Sequence, residues 1–181
     1  MVYAVGVIEL KSIAKGIEAT DAALKSAGIQ LVSAHPSCPG KYEIVITGSI
    51  SNVTAAVDHV KGRFDASLID TSVMGRIDPM VITALFGTQT GTRKGSLGII
   101  ETFSAASAIK AADLAVKTAK VEIYDLRVSR GMGGKGVVMI TGEVGDVTAA
   151  TEAGANYAKE LAMLSSYSII AAPHEELWNQ M

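Results

Sequence analysis

Cys38 is the only cysteine of this chain, and its thiol is the group with the most obvious metal chemistry. It lies in a Ser37-Cys38-Pro39-Gly40 turn that is followed by Lys41. Proline fixes one backbone φ and glycine permits a left-handed conformation, so this turn is expected to present the thiol to solvent. A lone cysteine is more often an inert thiol, and one chain cannot build a disulfide or a site of several thiolates. Symmetry could still bring copies of the thiol together.

A second turn, which has no cysteine, contains Met132, Gly133, Gly134 and Lys135. Its glycines would let backbone N–H groups converge on an anion, but a flexible turn is the simpler interpretation. The segment lacks the spacing and the Ser or Thr of a P-loop, and no helix is predicted after it, so we do not predict a nucleotide site.

The remaining ionisable residues do not form a recognisable catalytic pattern. His35, His59 and His174 are far apart, without H-x-x-x-H or H-E-x-x-H spacing, and the chain has no nucleophile elbow. Glu9 and Glu101 fall at equivalent positions of two similar segments, which duplication explains more simply than acid–base catalysis. We therefore expect a protein without enzymatic activity.

The elements that position these residues occur twice in the chain. At an offset of 92 residues, the segment AVGVIELKSIAKGIEATDAALKSAGIQ is followed by the similar SLGIIETFSAASAIKAADLAVKTAKVE. The match continues at an offset of 94 residues, with GKYEIVITGSISNVTAA against GKGVVMITGEVGDVTAA, so two residues are inserted just before Gly134. We predict two domains, residues 1–90 and residues 91–181, joined by a Gly-, Thr- and Ser-rich linker over residues 87–96.

Each copy is predicted to have the order β-α-β-β-α-β. In the first copy, a strand is followed by a helix with Ser12 as N-cap and Gly28 as the stop signal. Two strands flank the cysteine turn, a helix begins behind Ser51, and a strand over residues 67–74 precedes a short helix from Asp78. This order is the ferredoxin-like split βαβ arrangement, an α/β (α+β) fold whose sheet contains antiparallel strands.

The composition is that of a folded protein with apolar surface available for assembly. Hydrophobic residues make up 49% and charged residues 19%, with a mean hydropathy of +0.33. The formal net charge of -2 and the scattered basic residues disfavour nucleic-acid binding. The chain reaches Glu9 without a signal-peptide pattern, and no apolar run approaches the roughly 18 residues of a membrane span. We expect a soluble cytoplasmic protein that does not enter a membrane.

Both copies resemble the shell domain of bacterial microcompartments. The first copy has A-V-G-V-I-E at residues 4–9 and D-A-A-L-K-S-A at residues 21–27. The second copy has G-I-I-E at residues 98–101, D-L-A-V-K at residues 113–117 and G-E-V-G-D-V at residues 142–147. The resemblance covers nearly the whole chain. Two unpermuted copies imply a tandem shell protein that trimerises into a pseudohexagonal, pseudohexameric tile with a pore on its axis.

Within that family, the chain is most similar to the tandem shell proteins of propanediol-utilisation microcompartments, through IELxSIAKGxEAxDAxLKSA, the SCPGK turn and the terminal PHEELW. This similarity implies that Cys38 anchors one [4Fe-4S] cluster per trimer at the pore. Such a cluster takes four ligands, so three thiolates would leave the fourth iron to bind water, hydroxide or an external thiol. The pore residues implied are Ser37, Cys38, Pro39, Gly40, Lys41, Met132, Gly133, Gly134 and Lys135.

The resemblance also implies that Lys25, Lys117 and Arg76 lie at the edge of the tile. Local i,i+4 pairs with Asp21 and Asp113 are the alternative explanation for the two lysines. The tails of the two copies depart from the family's I-P-R-P-H pattern. Ile77-Asp78 replaces Pro-His in the first copy, and residues 171–174, A-A-P-H, lack the arginine in the second. Edge contacts are therefore expected to differ between the two halves.

The resemblance implies a structural shell component with a gated or redox-active pore. Its expected partners are two further copies of the chain, other shell proteins, and an encapsulated or cytosolic redox protein that exchanges electrons with the cluster. Two alternatives remain open at this point. One is a passive metabolite pore without a cluster, and the other is a duplicated ligand-sensing regulator, because split βαβ sheets host unrelated functions.

Overall fold

The computed structural model describes residues 3–87, 92, 94–128 and 132–181. Within these residues, the chain forms eight strands and six α-helices. They are β1 (Tyr3–Leu10), α1 (Ile13–Ser26), β2 (Gln30–Ser37), β3 (Lys41–Gly48), α2 (Ile50–Phe64), β4 (Leu68–Ile77), α3 (Pro79–Leu85), β5 (Ser96–Thr102), α4 (Ala105–Thr118), β6 (Val121–Val128), β7 (Gly136–Gly142), α5 (Val144–Glu160), β8 (Leu164–Ile170) and α6 (Glu175–Trp178).

The described residues form two compact units. Residues 3–77 with residues 132–134 make the first unit, and residues from 78 to 128 with residues 135–181 make the second. Each unit has one antiparallel four-stranded sheet, in the order β2-β3-β1-β4 and β6-β7-β5-β8. The predicted split βαβ order is confirmed in both copies. The predicted boundary between residues 90 and 91 lies outside the described residues, as do residues 88–91 and 93 of the predicted linker.

The helix starts follow from side-chain capping. Ser12 is extended and its Oγ accepts a hydrogen bond from the Lys15 backbone N–H at 3.3 Å, which confirms the predicted N-cap of α1. The predicted start of α2 at Ser51 is wrong. Ser49 caps this helix by accepting from the Asn52 N–H at 3.3 Å, and Ser51 already lies in the first turn.

The predicted stop of α1 at Gly28 also differs from the structure. The helix ends at Ser26, and Ala27 is extended, with φ -155° and ψ 162°, so no left-handed glycine is needed. Gly28 instead accepts a hydrogen bond at its carbonyl from Asn52 Nδ2 at 2.9 Å, which ties the connection after α1 to α2. The predicted helix from Asp78 is confirmed, since Asp78 is the N-cap of α3.

The closing strand of the first copy is longer than its predicted span over residues 67–74. β4 continues to Ile77 because it pairs with the start of β1, where Tyr3 lies opposite Ile77 after an irregularity in the ladder. The residues beyond it, from Asp78 onward, belong to the second unit.

Repeated glycines on β1 and β5 mark where a helix crosses the sheet closely. A Cβ added to Gly6 would lie 2.9 Å from both Ile46 Cγ1 and Val53 Cγ1. At Gly98 a Cβ would overlap the Thr151 hydroxyl. The two glycines therefore recur because α2 and α5 pack against the backbone of the central strand in each unit.

The edge strands of the two sheets share one irregularity. The β2–β3 ladder shifts register between Leu31 and Ser33, and the β6–β7 ladder shifts between Ile123 and Asp125. The offset between these positions is the same 92 residues that relates the two copies. Leu31 and Ile123 are therefore structural counterparts on the two edge strands.

Candidate functional site

The cysteine turn joins β2 to β3 at one end of the first sheet. Ser37 is buried, whereas Cys38, Pro39 and Gly40 are exposed, and Cys38 is a free thiol. The Cys38–Pro39 peptide bond is cis, and Gly40 has a φ of +81° that favours glycine. The sequence-based expectation that the turn presents its thiol to solvent agrees with these positions.

The second turn packs beside the first. Residues 132–134 belong to the first unit, and a Cβ added to Gly134 would lie 3.4 Å from the Cys38 carbonyl oxygen. Gly133 and Gly134 both have positive φ, at 65° and 85°. The preceding residues of this turn, 129–131, lie outside the described residues. The two predicted pore turns thus meet within one chain.

Lysines that follow the two turns form equivalent ion pairs. Lys41 Nζ lies 3.4 Å from Glu9 Oε2, and Lys135 Nζ lies 2.7 Å from Glu101 Oε1. Lys135 also donates to Ser165 Oγ at 3.2 Å. Both lysines and both glutamates stand out in the sequence, but their pairing is visible only in the structure. Each glutamate offsets the charge of the lysine in its own unit, so neither lysine presents a free cation.

The family model for the BMC domain matches residues 4–77 and, separately, residues 96–173. The chain belongs to the BMC-domain family. It carries two copies of the domain in tandem, one for each repeat of the sequence, and the resemblance to microcompartment shell proteins is confirmed.

Curated and solved relatives agree with this assignment to the tandem BMC-domain proteins. The chain is 37% identical over 181 residues to the bacterial microcompartment shell protein PduT of Citrobacter freundii, with 100% of this chain and 98% of that protein covered. The bacterial microcompartment shell protein PduA of the same organism is 35% identical over 83 residues, covering 45% of this chain and 86% of PduA. A microcompartment protein of Desulfitobacterium hafniense DCB, solved by crystallography, has a TM-score of 0.95 at 41% identity, with 98% of both chains covered.

The other candidate ligands of this tandem BMC-domain protein are dispersed. Among the described side chains, no three His, Cys, Asp or Glu residues lie close enough to hold a metal ion within one chain. His59 is exposed on α2, and His174 caps α6 by accepting from the Glu176 N–H at 3.2 Å. None of the helices in the described ranges is both long and apolar enough to cross a membrane.

The three predicted tile-edge residues have different environments. Lys25 is exposed and pairs with exposed Asp21 at 2.7 Å. Lys117 is less exposed and lies 2.6 Å from Asp113, whose side chain is fully buried. Arg76 is exposed on β4 with a φ of +56°, unusual for a residue with a side chain.

Asp113 has a larger role than the helix pair with Lys117 that its spacing predicts. Its carboxylate binds Lys110 at 3.0 Å and Lys117 at 2.6 Å, and it accepts a hydrogen bond from the Asp78 backbone N–H at 2.9 Å. One signal was available in the sequence. A lysine stands three residues before Asp113, where the first copy has Glu18 before Asp21.

Proposed function

We propose that three copies of this shell protein close into a pseudohexagonal tile with a pore on its axis. Two tandem domains per chain make six pseudo-equivalent domains from three chains, and a rotational contact that closes gives a ring. The observation that supports the pore most directly is the proximity of Gly134 to the Cys38 carbonyl oxygen. A pore lined by both copies requires the two turns to lie together, and Ser37 to Lys41 and Met132 to Lys135 would line it.

The Cys38 thiol fits a ligand role in such a pore. It is exposed, uncommitted to a disulfide, and carried by a turn and not by the core. Three copies would supply three thiolates to a [4Fe-4S] cluster, of which one would be bound per trimer, and the cluster would supply one-electron chemistry there. The chain's own residues hold this site through the short β2–β3 connection and the adjacent glycine turn.

The proposed role is structural, with electron transfer or gating at the pore and no catalytic turnover. Partners would be other shell proteins at the tile edge, where Lys25, Lys117 and Arg76 would lie, and an encapsulated or cytosolic redox protein at the pore. The assembly would be part of a microcompartment shell in the cytoplasm.

Anaerobic purification followed by iron and sulfide analysis tests the cluster. Wild-type protein should carry about four iron atoms per trimer, and Cys38→Ser should carry almost none. Because Cys38 is exposed, its replacement should leave the oligomer mass unchanged and shift the melting temperature only by any cluster-dependent part. Brown colour with broad absorbance near ~400 nm should disappear with the iron.

A buried structural cysteine would give the opposite pattern, with lost stability on replacement by serine. Wild-type protein that takes up no iron under anaerobic reconstitution would exclude the cluster and leave a passive metabolite pore. The matched control is Ser33→Ala, which changes a small side chain on the same β2 strand five residues before the thiol and should retain the iron.

A further inference from the structure

Residues 78–82 pack against α4 and β6 of the second unit. The Asp78 N–H donates to Asp113 on α4, and the Ile123 N–H on β6 donates to Met80 Sδ at 3.4 Å. Val81 and Ile82 beside them are buried, at 0% and 7% exposure. This segment therefore joins the outer side of α4 to the edge strand β6.

The helix stripe that includes Asp113 is fully buried in the second unit. Ala105, Ile109 and Asp113 follow one another at intervals of four residues, on one side of α4, and each is 0% exposed. A buried carboxylate on such a stripe is stable only with partners, which Lys110, Lys117 and the Asp78 N–H provide.

The same stripe is open on α1 in the first unit. Its members Ile13 and Ile17 are 41% and 57% exposed, and Asp21 has a side chain that is 62% exposed. Ile17 and Asp21 repeat Ile109 and Asp113 of the buried stripe, and Ile13 stands where that stripe has Ala105. The first unit thus has the receiving surface without the segment that covers it.

The covering segment has a counterpart at the end of the chain. Val5 pairs with Met74 and its equivalent Leu97 pairs with Ile170, so these strand ends correspond. Two extra residues, Gly75 and Arg76, then follow in the first copy.

This correspondence aligns Pro79 with Pro173, Asp78 with Ala172, and Met80 with His174. Ala172 and His174 are exposed, as is Leu177 at 38%. The second segment is therefore displayed to solvent, whereas its first-copy equivalent is packed.

The end of the chain is held in place beyond this exposed segment. Trp178 is 7% exposed and packs edge to face on Tyr124, with ring centroids 5.6 Å apart. The Tyr124 hydroxyl donates to the Met181 carbonyl at 3.2 Å. Residues 171–177 are thus fixed at both ends, and a preordered segment loses little entropy when it binds.

We propose that residues 171–177 of one chain dock on the α1 and β2 face of a second copy. The docked segment repeats the packing of residues 78–82 on α4 and β6. The Ala172 N–H donates to the Asp21 carboxylate of the neighbour, and Ile13 and Ile17 of that neighbour become buried. The docked segment and the surface that receives it are different parts of the chain, so the contact is head to tail. Each added chain can bind a further copy until the ring closes. Closure after three chains rests on the proposed tile.

Ile17→Glu and Ile50→Glu separate this surface from general charge effects. Both isoleucines are exposed, so both variants should fold. Ile17 corresponds to the buried Ile109, whereas Ile50 at 52% corresponds to Val144, which is also exposed, at 50%. Ile17→Glu should weaken self-association by roughly tenfold or more, as expected for a charge at the centre of an interface. Ile50→Glu should associate like the wild type in native mass spectrometry across a concentration series.

A cysteine pair tests the contact directly. In the Cys38→Ser background, Asp21→Cys combined with Ala172→Cys should form disulfides between chains after mild oxidation, visible as multimers on non-reducing gels. Either single substitution should stay largely uncrosslinked under the same conditions.

The outcomes distinguish the docking surface from the tile. A wild-type trimer that tolerates Ile17→Glu and gives no crosslink would overturn the docking and leave the trimer intact. Association that needs Ile17 and crosslinks through Asp21 and Ala172, but with a mass other than three chains, would support the docking and exclude the trimeric ring. A wild-type chain that stays monomeric at micromolar concentration without crosslinks would overturn both.

Discussion

Asp21 and Asp113 occupy the same position in the two copies but have opposite environments. Both stand four residues before a lysine, and both bind that lysine. Asp21 is mostly exposed, whereas Asp113 is fully buried with three partners. The difference comes from chain order, because only the second copy has residues 78–82 folded against it. Duplication therefore copies a motif without copying the packing around it.

A second pair of equivalent positions shows compensation. In the first unit, Gly16 on α1 leaves room for Tyr42 on β3, since a Cβ there would overlap the Tyr42 side chain. In the second unit the small residue is on the strand, and a Cβ on Gly136 would overlap Ala108. Each copy keeps one glycine at this helix–strand contact but places it on the opposite element.

The largest effect is expected at Asp113. Asp113→Ala removes the acceptor of the part-buried Asp78 N–H and the counterion of Lys110 and Lys117, which should lower the free energy of unfolding by about 3 kcal/mol. Chemical denaturation followed by circular dichroism measures this change.

Asp21→Ala is the matched control for Asp113. At concentrations where the chain is monomeric, it should lower the free energy of unfolding by no more than about 0.5 kcal/mol, which is what an exposed ion pair on a helix contributes. If residues 171–177 dock on α1, this loss of stability should grow with protein concentration. Equal losses for the two variants under dilute conditions would contradict the difference in burial.

A smaller effect is expected at the exchanged glycines. Gly16→Ala forces a methyl group against Tyr42 and should destabilise the first unit by about 1–3 kcal/mol, as overpacking does. Ala108→Gly creates no clash and should cost about 1 kcal/mol from helix propensity.

The compensation itself is tested in the second unit by a double-mutant cycle. Gly136→Tyr should be strongly destabilising alone and less so when Ala108→Gly is also present. Additive losses in denaturation experiments would show that the two positions do not share the contact.

Much of the fold could be predicted because the sequence contains two copies of the same domain. The βαββαβ order, the Ser12 cap and the start of α3 at Asp78 depend on local chemistry that the sequence displays. The start of α2 was misplaced because Ser49 and Ser51 are both suitable caps, and only the extended backbone at Ser49 distinguishes them. The end of α1 at Ser26 was missed because Gly28 is a typical residue to end a helix. In the structure the backbone already becomes extended at Ala27, so the helix ends before the glycine.

Less of the candidate site could be predicted, because it depends on contacts between distant residues. Exposure of Cys38 followed from its turn, but the approach of Gly134 to that turn joins residues almost a hundred positions apart. The Lys41–Glu9 and Lys135–Glu101 pairs depend on strand pairing, which a single sequence does not specify. Burial of Asp113 depends on residues 78–82, whose packing partner lies in the other copy of the sequence.

The smallest expected effect distinguishes Glu18 from its counterpart Lys110. Glu18 lies on α1 and binds Lys15 at 2.8 Å and Arg63 of α2 at 3.3 Å. The hydrogen bond from Lys15, with the nearby Arg63 charge, lowers the pKa of the Glu18 carboxyl below its ordinary value of 4.5. Since the folded-state pKa is depressed, the stabilisation is present above pH 4.5 and is lost as the pH falls through the folded-state pKa.

An NMR titration should therefore place the Glu18 pKa below 4.5, and Lys15→Ala should raise it more than Arg63→Ala, because the Lys15 hydrogen bond is the largest cause of the shift. Glu18→Gln should remove this contribution to the pH dependence of stability while leaving the fold intact, since the side chain is exposed and salt screens its pairs. Lys110 holds a buried carboxylate in the second copy, so Lys110→Gln should reduce stability across the neutral range. A Glu18 pKa at or above 4.5 would show that the α1–α2 pairs do not persist in solution.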